Sequence, residues 1–477
     1  MNKNKEFVIN TLILFLGKFA TQFISLLLLP LYTHYLITDD FGIVDLLQTY
    51  ITLFVPLLIL RIDSAIFRFL IDVRNDEIQK KQIISNNIFL LVLSLIISLI
   101  AGIIVINIFN IKYALLVIIN IFSLMISNVF LQILRGLGKN LHYSISSIIT
   151  GIITLLINIV LIVFYNWNAS SILLSSIIAN SICSLYVVFA CKLYKYIDFK
   201  LVKKEEIKTI LKYSLPMIPN SLSWWIVNVS DRTIITTILG SGLNGIYSVS
   251  CKFSNILNSI FSIFNMSWQE SASLHINDED RDVFFSNMIN KLFFIFFSCS
   301  LGIIVIIPLL FDILIGREYL EAYKYIPLIL YGNVWNILIS LIGGIYVAKK
   351  KTKEISNTTI ISAIINIIVN ICLIANIGLY AACISTIIAY MIMGIYRYVD
   401  CKKYVNLKLK IKKLVLVTIV FIISSFIYFI NNVYLNIINL IFIVIFICII
   451  NKELVLITFK YLRNKVLIIL FKRNVVK

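Results

Sequence analysis

Apolar runs of about twenty residues or more, separated by short polar links, fill almost the whole chain. Crossing roughly 30 Å of hydrocarbon takes about twenty helical residues, so each run is a candidate membrane span. The runs fall at 8–35, 41–69, 83–106, 113–134, 142–165, 171–191, 213–239, 245–269, 288–312, 325–347, 357–376, 379–399, 414–430 and 434–450. The pattern therefore predicts an all-α polytopic membrane protein with about fourteen transmembrane helices. The basic start runs into a first span of nearly thirty residues with no small-residue cleavage site after it, which predicts a retained first helix.

Composition agrees: 60% of the 477 residues are hydrophobic, 14% are charged and the mean hydropathy is +0.98. A net charge of +19 raises nucleic acid as a partner, but the basic residues cluster in the links between spans. There they act as topology signals and as contacts for anionic membrane lipids, so no nucleic-acid partner is expected. With the N-terminus placed in the cytoplasm, alternate links and tails hold 34 of the 42 Lys and Arg residues; the outer links hold only Lys112, Arg317 and Lys324. That asymmetry predicts cytoplasmic N- and C-termini. Eight scattered cysteines without C-x-x-C spacing read as packing residues.

A faint repeat lies beneath the spans. SSIIAN at 175–180 resembles STIIAY at 385–390, the preceding spans each carry an Asn (Asn158, Asn370), and FGIV and NGIY each open the second span of a half. Six spans per repeat is an even number, so the halves would be parallel copies about an axis along the membrane normal. The predicted organisation is a lobe at 1–212, a second at 213–399, and two extra helices with a basic tail at 400–477.

Arg68 and Arg397, at the cytoplasmic edges of their spans, are counted with the links; five other basic residues stand inside spans: Lys18, Arg61, Arg232, Lys252 and Lys291. A basic side chain at the bilayer centre costs about 2.5–3.5 kcal/mol on insertion scales, so it faces water or meets a partner charge. Lys18, about twelve residues into its span, reaches the midplane, with Gln22 and Ser25 continuing its face. In span 2, Asp45, Gln48, Thr49 and Thr52 form a polar face, while Arg61 is either balanced by Asp63 near the headgroups or free to meet cargo. In span 7, Asn220, Trp224, Asn228 and Asp231/Arg232 recur at three and four beyond Pro216 and Pro219. They line a cavity, or else Asp231 or another acid neutralises Arg232 and the stripe joins helices. In span 8, Lys252 shares a face with Asn255, Ser259 and Ser262, beside a row of Ser250, Ser254 and Asn258; its alternative is to extend to the headgroups. Lys291 is near enough to the membrane edge to do so.

Several motifs fail. RGLGKN at 135–140 lacks the phosphate-loop spacing, and the alternating Asp278, Asp280 and Asp282 lack the glycine a calcium loop needs. No His/Cys/carboxylate cluster suits a metal, no cofactor is expected, and no long outer link offers room for an enzyme's catalytic domain.

GKFATQFISLLLLPLYTHYL followed by FGIVDLLQTYI, then VSDRTIITTILG, NGIYSVSCKFSNI and SWQES, resembles the oligosaccharide flippase family (Wzx-type) of bacterial polysaccharide transport. That family lies in the multidrug/oligosaccharidyl-lipid/polysaccharide exporter superfamily. The resemblance implies a cytoplasmic-membrane carrier that turns a polyprenyl-pyrophosphate-linked oligosaccharide to the outer leaflet by alternating access, for O-antigen, capsule or a related polysaccharide. It also implies contact with a polymerase and other assembly proteins. Lys18 stands in the family's GK patch, Arg232 in its DR patch and Lys252 in its KF patch. The rival readings are a cation-coupled multidrug exporter of the same superfamily, a membrane polymerase or glycosyltransferase, and a non-transporting assembly component. The first uses membrane carboxylates, which span 1 lacks; the second predicts a long outer loop.

Overall fold

The computed structural model describes residues 3–108, 112–452 and 456; the side chains of residues 3–16, Lys18, Asn220, Ser223, Trp224, Ile226, Val227, Asn228 and Thr352 lie outside that description. The described residues form sixteen α-helices and no strand. In chain order these are α1 (Lys3–Tyr35), α2 (Thr38–Leu58), α3 (Ile62–Asp72), α4 (Glu77–Ile108), α5 (Ala114–Gly136), α6 (Asn140–Ile159), α7 (Ser170–Phe189) and α8 (Lys204–Ser214). They continue with α9 (Ile218–Ile238), α10 (Ser241–His275), α11 (Arg281–Leu314), α12 (Ile326–Ala348), α13 (Thr352–Ile377), α14 (Tyr380–Asp400), α15 (Ile411–Ile430) and α16 (Val433–Ile450).

Ile and Val are indifferent helix formers in water. In hydrocarbon every backbone N–H and C=O must be satisfied within the segment, and that constraint makes these runs helical. Among the described residues eleven helices are long and apolar enough to cross a membrane, and α10, at 35 residues, is too polar to meet the same standard. Each of the fourteen predicted spans lies on a helix, so this is a multi-pass all-α membrane protein. One span is broken: 41–69 becomes α2 and α3, joined through Leu60 and Arg61, both with positive φ. Pro216 sits in a 3₁₀ turn and Pro219 in the first turn of α9, where a missing N–H leaves no bond unmade.

The helices fall into two groups. α1 packs on α6, α6 on α7, and α5 on α3, α4 and α7; in the second group α10 packs on α12, α14 on α12 and α13, and α9 on α13. α15 and α16 both lie against α11. The chain passes between the groups through α8, which packs on α3 and α4. Ile, Leu, Val and Phe side chains of α4, α13, α15 and α16 are exposed on the exterior, as lipid contact requires. Asn and Ser join helices inside: the Asn158 amide donates to Ser175 Oγ at 2.7 Å, and the Asn366 amide to Thr386 Oγ1 at 3.1 Å.

The links gather at two ends. On a basic face Arg74 Nε donates to the Gly136 carbonyl at 2.8 Å, Lys139 Nζ to that of Cys191 at 3.1 Å, and the Asn290 amide to that of Lys408 at 2.9 Å. On the opposite face Lys112 pairs with Asp40 at 2.5 Å, and Tyr323 stacks on Tyr428 with centroids 3.9 Å apart.

Candidate functional site

The two groups meet most closely at the opposite face, where α2 lies against α10. Gly42 and Gly245 permit it: a Cβ on Gly42 would stand 1.8 Å from the Ser241 carbonyl oxygen, and one on Gly245 2.3 Å from that of Thr38. Around this contact Ser241 Oγ donates to Asp39 Oδ1 at 2.6 Å and the Asn244 amide to the Gly42 carbonyl at 2.8 Å. The Tyr319 hydroxyl donates to the Leu36 carbonyl at 3.0 Å, and Thr33 Oγ1 to that of Leu314 at 3.1 Å. This face is closed by polar bonds.

One turn deeper, the close approach delivers a carboxylate from α2 to a guanidinium on α9. Arg232 Nε donates to Asp45 Oδ2 at 2.7 Å while Ser248 Oγ on α10 donates to Asp45 Oδ1 at 2.6 Å. The side chains are 15% and 10% exposed, a depth at which an ion pair is weakly screened. Trp225 Nε1 donates to the Thr49 carbonyl at 3.0 Å, and Tyr50 shares a 3.1 Å hydrogen bond with Thr233. Of the two sequence alternatives for Arg232, a partner acid exists, and it is Asp45 from the other helix group.

Asp231, the neighbour of Arg232, points elsewhere because successive helical residues diverge by about 100°. Asn370 donates to its Oδ1 at 2.8 Å, and Thr386 and Tyr247 to its Oδ2 at 3.0 and 3.2 Å. It is held inside the second helix group.

One turn beyond Ser248 along α10 lies Lys252, which opens the cavity that α10 shares with α1. Its volume is about 340 Å³, and its lining includes Gln22, Ser25, Lys252, Asn255, Asn258 and Ser259. Among the described residues no carboxylate lies within ion-pair distance of Lys252. The described lining thus offers one cation, amides and hydroxyls, and no acid. A second recess of about 190 Å³ adjoins it, sharing Gln22, Leu26, Ile256 and Ser259 but otherwise walled by Phe19, Phe23, Ile260 and Ile263. Phe19 and Phe23 are half exposed on the exterior. A polar chamber therefore continues sideways into an apolar groove.

Asn255, Asn258 and Lys252 are brought together; Asp231 and Arg232 are not in the chamber wall. Arg61 lies at the far end of α2, roughly 20 Å along the helix from Asp45, with Nη2 donating to Ser64 Oγ at 2.5 Å and Nη1 3.7 Å from Asp63. Lys18, Asn220, Trp224 and Asn228 have side chains outside the described residues. Sequence reasoning marked Asp45 as polar but missed its partners, and it missed Ser248 and Trp225; the i, i+4, i+8 spacing of Asn244, Ser248 and Lys252 is the signal that points to Ser248. Among the described residues no cluster of three or more His, Cys, Asp or Glu side chains can hold a metal.

These features define a multi-pass membrane protein with a polar chamber at the seam of two helix groups. A family model described as "Polysaccharide biosynthesis protein" matches residues 7–269. The chain belongs to that family. No curated protein matches it by sequence. Among solved structures it is similar to a lipid II flippase, MurJ, in an inward closed conformation: 16% identity, TM-score 0.68, covering 94% of this chain and 100% of that one. It is also similar to an inward-facing multidrug resistance MATE family transporter of the MOP superfamily, at 14% identity, TM-score 0.64 and coverage of 83% and 95%. A MOP superfamily transporter from Pyrococcus furiosus, described as having a binding pocket of reversed polarity, gives 14% identity, TM-score 0.56 and coverage of 83% and 96%. The chain has the fold these proteins share.

Proposed function

We propose that this protein is a flippase of the Wzx type, moving polyprenyl-pyrophosphate-linked oligosaccharide across the bacterial cytoplasmic membrane for surface polysaccharide assembly. The observation that carries the reading is the chamber at Lys252, whose described lining is cationic and acid-free, continuous with an apolar groove open to the exterior. Such a cargo has three parts: an anionic pyrophosphate, a sugar and a prenyl chain. Lys252 attracts the first in a poorly screened interior, and the same role is assigned to Lys18 on the sequence resemblance alone. Asn255, Asn258, Gln22 and Ser259 meet the second; the third stays in lipid beside Phe19 and Phe23. A cationic drug would find no counter-charge in this lining, which speaks against the exporter alternative.

In this reading the basic face is cytoplasmic, as the charge bias of the links supports, and residues 1–212 and 213–399 form the two lobes. The Asp45–Arg232 pair closes the outer side. A pyrophosphate near Lys252 competes with Asp45 for Arg232, loosens the closure and lets the lobes exchange the side they expose.

Lys252→Ala, Arg232→Ala and Lys18→Ala should each abolish translocation of labelled lipid-linked oligosaccharide in vesicles while leaving membrane insertion intact. Normal rates in all three variants would sink the cationic-chamber reading.

A further inference from the structure

Arg397 reads in the sequence as one more basic residue of the link after span 12. The structure buries it at 3% exposure, three residues before the end of α14. Its Nε and Nη2 donate to Thr358 Oγ1 at 3.0 and 2.8 Å, and Nη2 also reaches Thr359 Oγ1 at 3.1 Å and the Ile355 carbonyl at 3.2 Å. Nη1 donates to the Ile339 carbonyl at 3.3 Å. Every one of these acceptors is neutral, and among the described residues no carboxylate forms an ion pair with Arg397. Room for the guanidinium is made by Gly343, where a Cβ would stand 3.3 Å from Nη1.

A guanidinium stays protonated, and a buried charge without a counter-charge is unfavourable. Tying α14 to α13 needs only hydrogen bonds, which a neutral Gln or Asn would supply without that cost. The charge calls for a negative partner. Arg397 lines a cavity of about 730 Å³ at the basic face, with Asn265 and Gln269 of α10, Ser340 of α12, and Ser356, Asn357 and the exposed Lys353 of α13. No described lining residue is acidic. A fixed guanidinium, amides, hydroxyls and a mobile ammonium spread around so large a space suit an anion with several separated oxygens better than a compact halide.

We propose that this cavity is a second anion site, specific for a phosphate-bearing group, built within the second helix group at its basic face. Asn265 and Gln269 continue the polar stripe of Lys252, Asn255, Ser259 and Ser262 at spacings of three and four, so α10 joins the two cavities along one face. The site stands whatever cargo the Lys252 chamber carries. Its ligand is either a lipid headgroup or a soluble phosphate.

The test uses full-length protein carrying Lys252→Gln, so that the other chamber contributes no cation from α10. In nanodiscs of phosphatidylcholine alone, calorimetric titration with inorganic pyrophosphate should show saturable binding. Arg397→Gln should weaken it at least tenfold, and Lys353→Gln, at an exposed rim position that leaves the fold intact, about threefold or more. Repeating the titration in discs containing phosphatidylglycerol separates the sources. A headgroup ligand competes, lowering pyrophosphate affinity and raising thermal stability in an Arg397-dependent way; a soluble ligand leaves affinity unchanged. Binding unaffected by both substitutions overturns the proposal, as does the absence of both pyrophosphate binding and phosphatidylglycerol stabilisation. If Arg397→Gln does not fold, the Lys353→Gln titration decides.

Discussion

Asp45, Arg232 and Ser248 come from three helices and two helix groups, and their meeting is the most consequential side-chain arrangement on the closed side. Asp45→Asn leaves the guanidinium without its ion-pair partner, and Arg232→Gln leaves the Asp45 carboxylate with the Ser248 hydrogen bond but no ion pair. Breaking one side of a buried pair costs about 3–5 kcal/mol, so each single variant should lose thermal stability in detergent. The double variant should lose much less than the sum; additive losses would show that the pair is not coupled. At this scale the sequence was partly legible. It offered an acid partner as one of two readings of Arg232, but the adjacent Asp231 was the visible candidate, and the partner in the structure stands 187 residues away. Arg397 was misread for another reason: basic residues near span ends are usually topology signals, and only packing reveals that Gly343 has made a place for this one.

Among the elements, α2 departs furthest from its sequence reading. A single apolar run hides the break at Leu60–Arg61, because neither residue is a Gly or Asn that would announce a left-handed backbone. The fourteen spans were otherwise readable, since lipid imposes length and hydrophobicity on every helix regardless of fold. The pairs α6/α7 and α13/α14, where the sequence likeness lies, each join through an Asn–Ser/Thr contact, though in the second pair Asn366 makes it while Asn370 serves Asp231. The α2–α10 contact yields a prediction at this scale. In Gly42→Ala the new methyl meets a backbone carbonyl that cannot rotate away, and overpacking of this kind costs about 1–3 kcal/mol. The helices should separate at the opposite face. A cysteine placed at buried Ser248, in a background without native cysteines, should then react several-fold faster with a membrane-impermeant maleimide; an unchanged rate would refute the close-approach argument.

For the whole molecule, the two faces differ in how the helix groups relate. The opposite face is bridged by bonds from α1 and α2 to α10, α11 and the Arg317–Lys324 turn, whereas the seam below opens into the Lys252 chamber. If transport alternates the exposed side, locking this face must stop it. Asp39→Cys with Ser241→Cys, whose native side chains lie 2.6 Å apart, should cross-link under oxidation, halt translocation, and recover on reduction; transport at full rate in the cross-linked protein would exclude alternation at this seam. None of this geometry was legible beforehand, because the bonds between the groups join residues 176 to 283 positions apart and leave no periodic trace.

The chemistry of that closure has an energetic consequence. Its cross-group contacts include hydroxyls, amides, backbone carbonyls and one ion pair, and water can replace such partners almost one for one. An intramolecular hydrogen bond contributes only about 0.5–1.5 kcal/mol net when its alternative is hydration. An apolar plug of the same area would instead have to expose its whole surface to water. A wet seam keeps the sealed and unsealed arrangements close in free energy, so the population of each is set by small differences. A modest ligand preference, the membrane potential or one altered side chain would then be enough to tip it.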